Sequence, residues 1–190
     1  MENTNLLEEH KIAGMGWRTL AFFADSILIS MLVYLFVRYS FGDEVTTVLN
    51  EFEKLSKQMS DATIAGDANA MKNLEPEAAK FAQSHAMQTV LNALTYGSAT
   101  IAFAYFFIGE FFFAGTSIGK RIVRIKTISA NGEKMNFMQC LLRAIWKALT
   151  FAPINFIVLI IVIINAYVPF FSKQNRGWHD KTAGTLVVNS

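Results

Sequence analysis

Residues Trp17–Val37, reading WRTLAFFADSILISMLVYLFV, decide the fold class. The run is 21 residues long and almost wholly apolar. At ~1.5 Å rise per residue it is about as long as a bilayer core is thick. It nevertheless carries Arg18 and Asp25. A charge at the centre of a spanning helix costs at least ~2.5–3.5 kcal/mol, so it normally faces protein or water and has a partner. The two lie on nearly one helix face but ~10 Å apart along the axis, too far for a direct pair. Each needs its own partner elsewhere in the chain.

Composition points the same way. With 53% hydrophobic residues, 17 Phe and only 17% charged residues, the chain is more apolar and less charged than an ordinary soluble domain. A net charge of +2 gives no ground for a nucleic-acid partner. One cysteine, Cys140, excludes an internal disulfide framework and a Cys-based zinc site, and reads as a small buried hydrophobe. His10, His85 and His179 sit in separate regions without metal-ligand spacing, and neither a nucleophile elbow nor a paired-carboxylate pattern is present. The expectation is a protein that is not an enzyme, with no cofactor and no metal.

Working outward from the first span, residues 1–16 are polar, with acids ahead of the apolar run rather than the basic n-region of a signal peptide. They read as a cytoplasmic tail before a retained anchor at 17–37. Residues 43–88 turn soluble in character. Val45, Val48, Leu49, Phe52, Leu55 and Met59 recur at helical spacing, Gly66 and Asp67 break the pattern, and Pro76 suits the first turn of a second helix. This net-acidic insert reads either as a helical hairpin capping a bundle or as a partner-docking module. Residues 90–114 form a second apolar span, with Ala93 and Gly97 as a small-xxx-small pair and Glu110 near its end.

Residues 115–135 carry Lys120, Arg121, Arg124, Lys126 and Lys134 against the single acid Glu133, which the positive-inside rule places in the cytoplasm. The stretch GTSIGKR is not a nucleotide loop, because three residues rather than four separate its glycines and Arg121 follows the lysine. Alternation over Arg121–Ser129 and the turn signal Asn131-Gly132 predict a short basic β-hairpin. Asn136 and Gln139 predict a capping box for a membrane helix at 137–152, with Arg143 and Lys147 on one face. Pro153 leads to an apolar run at 154–171, and residues 172–190 form a basic tail. Its Thr185–Val188 has strand character and can pair with Val123–Ser129. That pairing needs a cytoplasmic tail, so 137–171 enters and returns as a short hairpin. The competing reading is an interfacial helix followed by one span.

Three motifs in order resemble a known family. WRTLAFFAD has the Arg-x-x-Ala-x-x-x-Asp pattern of the first helix of RDD family membrane proteins. GTSIGKRIVRIKTISANGEKMNF with LLRA resembles their central signature, and GWHDKTAGTLVV their C-terminal segment. The arginine and two aspartates of the name fall on Arg18, Asp25 and Asp180. The resemblance implies a multi-pass protein of the bacterial cytoplasmic (inner) membrane, from a family linked in part to cation/proton exchange and in part to scaffolding of membrane complexes.

The fold expected is an all-α polytopic membrane protein: a small bundle of four membrane-inserted helices, a helical soluble insert outside, and a short cytoplasmic β-hairpin. Counting depth from the helix starts puts Asp25 beside Arg143, and Arg18 beside Asp180 or Glu110. Arg18, Asp25, Glu110, Arg143 and Asp180 are thus expected to gather as an intramembrane charge cluster. Two functions fit: a non-catalytic accessory or scaffold subunit, docked to a membrane-protein partner or a second copy, and a small ion-coupled transporter using Asp25 to exchange a monovalent cation for a proton.

Overall fold

The computed structural model describes residues 11–152, 168, 172 and 175–190; the apolar run expected as a helix at 154–171 lies outside the described residues, save Val168. Among them are seven helices and one two-stranded sheet. In chain order these are α1 (Met15–Ser40), α2 (Gly42–Ala65), α3 (Ala68–Ala82), α4 (His85–Phe112), α5 (Ile118–Ile122), β1 (Ile125–Ser129), α6 (Phe137–Leu149), α7 (Trp178–Ala183) and β2 (Thr185–Asn189).

α1 and α4, of 26 and 28 residues, are long and apolar enough to cross a membrane. A core helix of a soluble protein with this composition would be mostly buried. Here only 28% of the most apolar stretch of α1 and 22% of that of α4 is covered by protein. Ile27, Tyr34 and Phe23 of α1 and Tyr96 and Phe112 of α4 stand exposed. A helix that is apolar all round and bare on most sides matches hydrocarbon rather than water as its solvent.

The chain divides into two compact units, Val33–Gly97 and the remainder, Met1–Leu32 with Ser98–Ser190. In the Val33–Gly97 unit, α2 stops at Gly66, whose left-handed φ of 64° returns its N–H to Ala62 and Thr63. Asp67 then caps α3, accepting from the backbone of Asn69 at 3.0 Å and Ala70 at 2.9 Å. This cap starts the helix earlier than the proline did in the sequence reading: Pro76 lies inside α3 rather than in its first turn. The small pair on α4 also finds its neighbour, since a Cβ added at Gly97 would stand 2.7 Å from the Phe36 ring.

In the other unit, β1 and β2 pair antiparallel with Thr127 opposite Val187. The segment before α1 extends the ladder: Ile12 bridges Val188, Ala13 N–H donates to Val187 O at 3.0 Å, and Asn189 N–H donates to Lys11 O at 3.0 Å. Ala13, Ala21, Ile125 and Val187 form the small core beneath it. The β-hairpin expected within 115–135 is corrected here. The chain does turn at Asn131-Gly132, with Ser129 N–H donating to Glu133 O at 3.0 Å, but the partner of β1 is the tail. Four of five residues in β1 are buried, so it pairs with apolar Leu186, Val187 and Val188 rather than with exposed Glu133 and Lys134.

The loop that carries α5 is pinned at Gly115. Its φ is +83°, its carbonyl accepts from Thr127 N–H at 3.0 Å, and a Cβ there would fall 2.0 Å from Thr127 O. Gly115→Ala is therefore expected to lose at least ~1–3 kcal/mol from backbone strain alone, with the steric clash added. Unfolding in detergent should show a clearly lowered midpoint; an unchanged midpoint would mean the loop can move away from β1.

Candidate functional site

α6 supplies the centre of the site. Asn136 accepts from Gln139 N–H at 2.8 Å while Gln139 Oε1 accepts from Asn136 N–H at 3.0 Å, so the helix starts with the reciprocal box read from the sequence. From that start one face buries Cys140, Arg143, Ala144 and Ala148. Lys147, one turn beyond Arg143, falls on the same side.

The Arg143 guanidinium is 1% exposed and surrounded by acceptors. Nε donates to Glu110 Oε2 at 3.0 Å. Nη1 donates to Asp180 Oδ1 and to Thr185 Oγ1, the latter at 2.5 Å. Nη2 reaches Thr127 Oγ1 at 3.4 Å. One side chain thus ties α4, α7, β1 and β2 to α6. Glu110 Oε1 takes two more cations, Lys120 Nζ at 3.0 Å and Lys147 Nζ at 2.5 Å. Asp180 Oδ2 accepts from Arg18 Nη2 and, at 3.2 Å, from Gly177 N–H at the start of α7. Lys120 also donates to Gly115 O at 3.2 Å and Thr127 Oγ1 at 2.6 Å.

Burial and charge set the protonation of the outer members. Burial pulls the Lys120 ammonium down to about 7; Glu110 opposes this, and Lys147 and Arg143 reinforce it. Burial likewise takes His179 to about 3 despite Asp180, whose Oδ1 lies 3.4 Å from Nε2, so the imidazole is neutral near pH 7. Burial works to raise the Asp180 carboxyl, but the permanently charged Arg143 and Arg18 outweigh it and hold it well below the usual carboxylate range.

Asp25 stands apart from this network. Oδ1 accepts from Tyr105 Oη at 2.5 Å and Gly119 N–H at 2.7 Å, and Oδ2 accepts from Ser117 Oγ at 2.6 Å. Tyr105 Oη in turn accepts from Ile118 N–H at 3.1 Å. The approach is close: a Cβ at Gly119 would lie 2.1 Å from Ala21 O. The pairing of Asp25 with Arg143 expected from equal depth is therefore corrected. Depth was a poor guide because the donors of Arg143 are spent on Glu110 and Asp180, while the loop after α4 delivers its own donors to Asp25.

The structure thus brings Arg18, Glu110, Arg143 and Asp180 into one ion network and places Asp25 in a neutral cradle beside it. Lys120, Thr127 and Thr185 of the network, and Tyr105, Ser117 and Gly119 of the cradle, were not singled out by sequence. Lys120 was hidden among five basic residues. Ser117 and Gly119 lie in GTSIGKR, whose spacing excludes a phosphate loop but carries no local sign of a carboxylate 92 residues before Ser117. Among the described residues, no group of three His, Cys, Asp or Glu side chains is placed to hold a metal ion.

A double-mutant cycle reads this wiring directly. Removing one member of a buried pair destabilises by ~3–5 kcal/mol. Glu110→Gln and Arg143→Gln should couple by more than ~0.5 kcal/mol, whereas Asp25→Asn and Arg143→Gln should add within ~0.3–0.5 kcal/mol in denaturant titrations. Strong coupling in the second cycle would restore the Asp25–Arg143 pair.

The pH dependence has a fixed sign. The folded value of Lys120, about 7, lies below its ordinary 10.5, so between those values the unfolded chain holds the extra proton. Stability then climbs as pH rises through that window. The melting temperature in detergent should increase from pH 7 to 9, and Lys120→Met should flatten the increase. A wild-type melting temperature that falls over that range would contradict the burial of a strained ammonium.

Comparison with known proteins follows from these features. No curated protein and no solved structure matches the chain. The RDD family profile matches residues 12–184, a span that takes in α1, the loop from Gly115, Arg143 and Asp180. With that match covering most of its length, the chain belongs to the RDD family and is a membrane protein of that family.

Proposed function

We propose that the chain is a non-catalytic accessory or scaffold subunit of a membrane protein complex, with the buried charge network acting as its structural latch. One observation carries this reading: Glu110 meets three cations and Asp180 two guanidinium groups, all on the same chain. A carboxylate that shuttles ions must be left open to them, and these two are already neutralised. Several finer points belong to the same reading. The chain sits in the bacterial cytoplasmic (inner) membrane as a multi-pass protein, its termini and basic loop cytoplasmic and residues 43–88 extracytoplasmic. The ladder joining Lys11–Ala13, β1 and β2 supports one side of the membrane for all three segments. It also supports residues 137–171 as a return rather than a single crossing, which gives four membrane-inserted helices. The insert is the docking module, where Leu49, Phe52 and Ile64 stand exposed. Its partner is another membrane protein or a second copy.

A second reading, a small ion-coupled transporter, is favoured by Asp25, which meets two hydroxyls and one amide and, among the described residues, no cation in hydrogen-bond or salt-bridge contact. The two readings separate in reconstituted vesicles loaded with a pH dye. The latch reading expects no proton movement when a sodium or potassium gradient is applied, together with a complex in mild detergent that is lost when residues 43–88 are replaced by a short linker. Cation-driven proton flux in the wild type that disappears in Asp25→Asn would overturn it in favour of transport.

A further inference from the structure

Arg18 has more hydrogen-bonding capacity than the described residues use. It stands in the first turns of α1 with its side chain nine-tenths buried, and Nη2 is committed to Asp180. Nη1 is also buried and, among the described residues, has no hydrogen-bond partner. A guanidinium carries its five N–H groups in a rigid planar fork that suits a carboxylate or a phosphate, and it cannot shed its charge to escape burial.

The surroundings are unbalanced in the same direction. Arg143 shares Asp180 with Arg18, and Arg176 Nη2 donates to the Asp180 carbonyl at 3.4 Å. Lys120 and Lys147 complete the network through Glu110. Among the described residues, five basic side chains, Lys120 among them with its value near 7, stand against Glu110, Asp180 and the neighbouring Asp25, and the neutral His179 removes none of the excess. The network as a whole therefore attracts an anion, and Arg18 holds an uncommitted donor for one.

Position selects which anion. Arg18 lies at the end of α1, next to Trp17, which is 54% exposed, with Leu20 and Phe23 exposed beyond it. Trp at a helix end marks headgroup level, and the exposed residues below it suit acyl chains. The anion present at that level in high local concentration is the phosphate of a lipid. We propose that Arg18 Nη1 binds the phosphate of an anionic phospholipid headgroup, so that one lipid per chain becomes part of the buried charge network. This goes beyond the accessory-subunit reading and does not depend on it.

Native mass spectrometry of the full chain in dodecyl maltoside tests the proposal, with phosphatidylglycerol, phosphatidylcholine and sodium phosphate as probes. Wild type should retain one phosphatidylglycerol per chain in preference to phosphatidylcholine. Arg18→Lys keeps the charge facing Asp180 but removes the fork, and should lower that preference at least ~10-fold with an unchanged circular dichroism spectrum. Should it fail to fold, Arg18→Gln, which keeps an amide donor facing Asp180 and leaves the Arg143–Asp180 pair in place, should lose the preference likewise. Lys134→Gln takes a charge from the exposed loop and should leave the preference intact. Equal losses in the Arg18 and Lys134 variants would reduce the effect to diffuse surface charge and overturn the site. No preference between the two lipids, or retention of it without Arg18, would do the same. Displacement of the lipid by millimolar sodium phosphate would reassign the site to a free anion.

Discussion

The structure depends on one guanidinium serving two carboxylates that arrive from distant parts of the chain. Glu110 ends a candidate span and Asp180 opens a short helix in the tail, 70 residues later, yet Arg143 holds both. Neither acid could be buried without it, because an unpaired carboxylate in an apolar setting is far costlier than any neighbouring packing could offset. Arg143 in turn could not be buried without both, since a guanidinium has donors on three nitrogens to satisfy. The four bonds it makes therefore set the register of α4, α6, α7, β1 and β2 together. A network of this kind adds little net stability over apolar packing, but it penalises every arrangement that leaves one charge behind. That is how a small bundle with few large buried side chains can have one fold.

The loop between α4 and β1 follows from the same constraint. Its two glycines stand where backbone touches backbone, Gly115 against Thr127 and Gly119 against Ala21. These contacts bring Lys120 to Glu110 and the Gly119 amide to Asp25 in a single turn of chain. A longer or bulkier loop could serve one acid but not both. The basic character of the segment, taken alone, suggests a solvated surface; in fact its Lys120 points inward while Arg121 and Arg124 remain exposed.

Much of this was legible in the sequence, for identifiable reasons. The two spans could be read because apolar length needs no partner to interpret. The capping box at Asn136 and the pairing of the tail with 123–129 could be read because each is a local pattern of donors or of alternation. The family resemblance could be read from three short motifs. What could not be read was which charge meets which. Depth along a helix gives one coordinate, whereas pairing depends also on the azimuth of each helix and on the path of loops. Asp25 and Arg143 agreed in depth and differ in partner for that reason. Lys120 was missed because one buried lysine looks like its exposed neighbours until the fold closes over it. The β1 partner was placed twice by sequence, once in a local hairpin and once in the tail, and burial of β1 decides between them.

The two carboxylate settings divide the roles open to the protein. Glu110 and Asp180 each bond basic side chains of the same chain, so neither has an oxygen left open to an incoming ion while the latch is closed. Asp25 is held by two hydroxyls and one backbone amide, none of them charged. The acids of the network are met by charged groups and the acid of the cradle by neutral donors. A chain built only to hold a shape would gain nothing from that difference, and a chain built only to move ions would not need the surplus of cations at Glu110. The surplus is the larger feature, involving five basic side chains and reaching α1, α4, α5, α6, α7, β1 and β2 through a side chain or backbone contact. Among the described residues its basic groups outnumber its carboxylates, an excess that a bound anion would offset. Its position at the α1 terminus, where headgroups lie, makes the bilayer itself the nearest source of that balance.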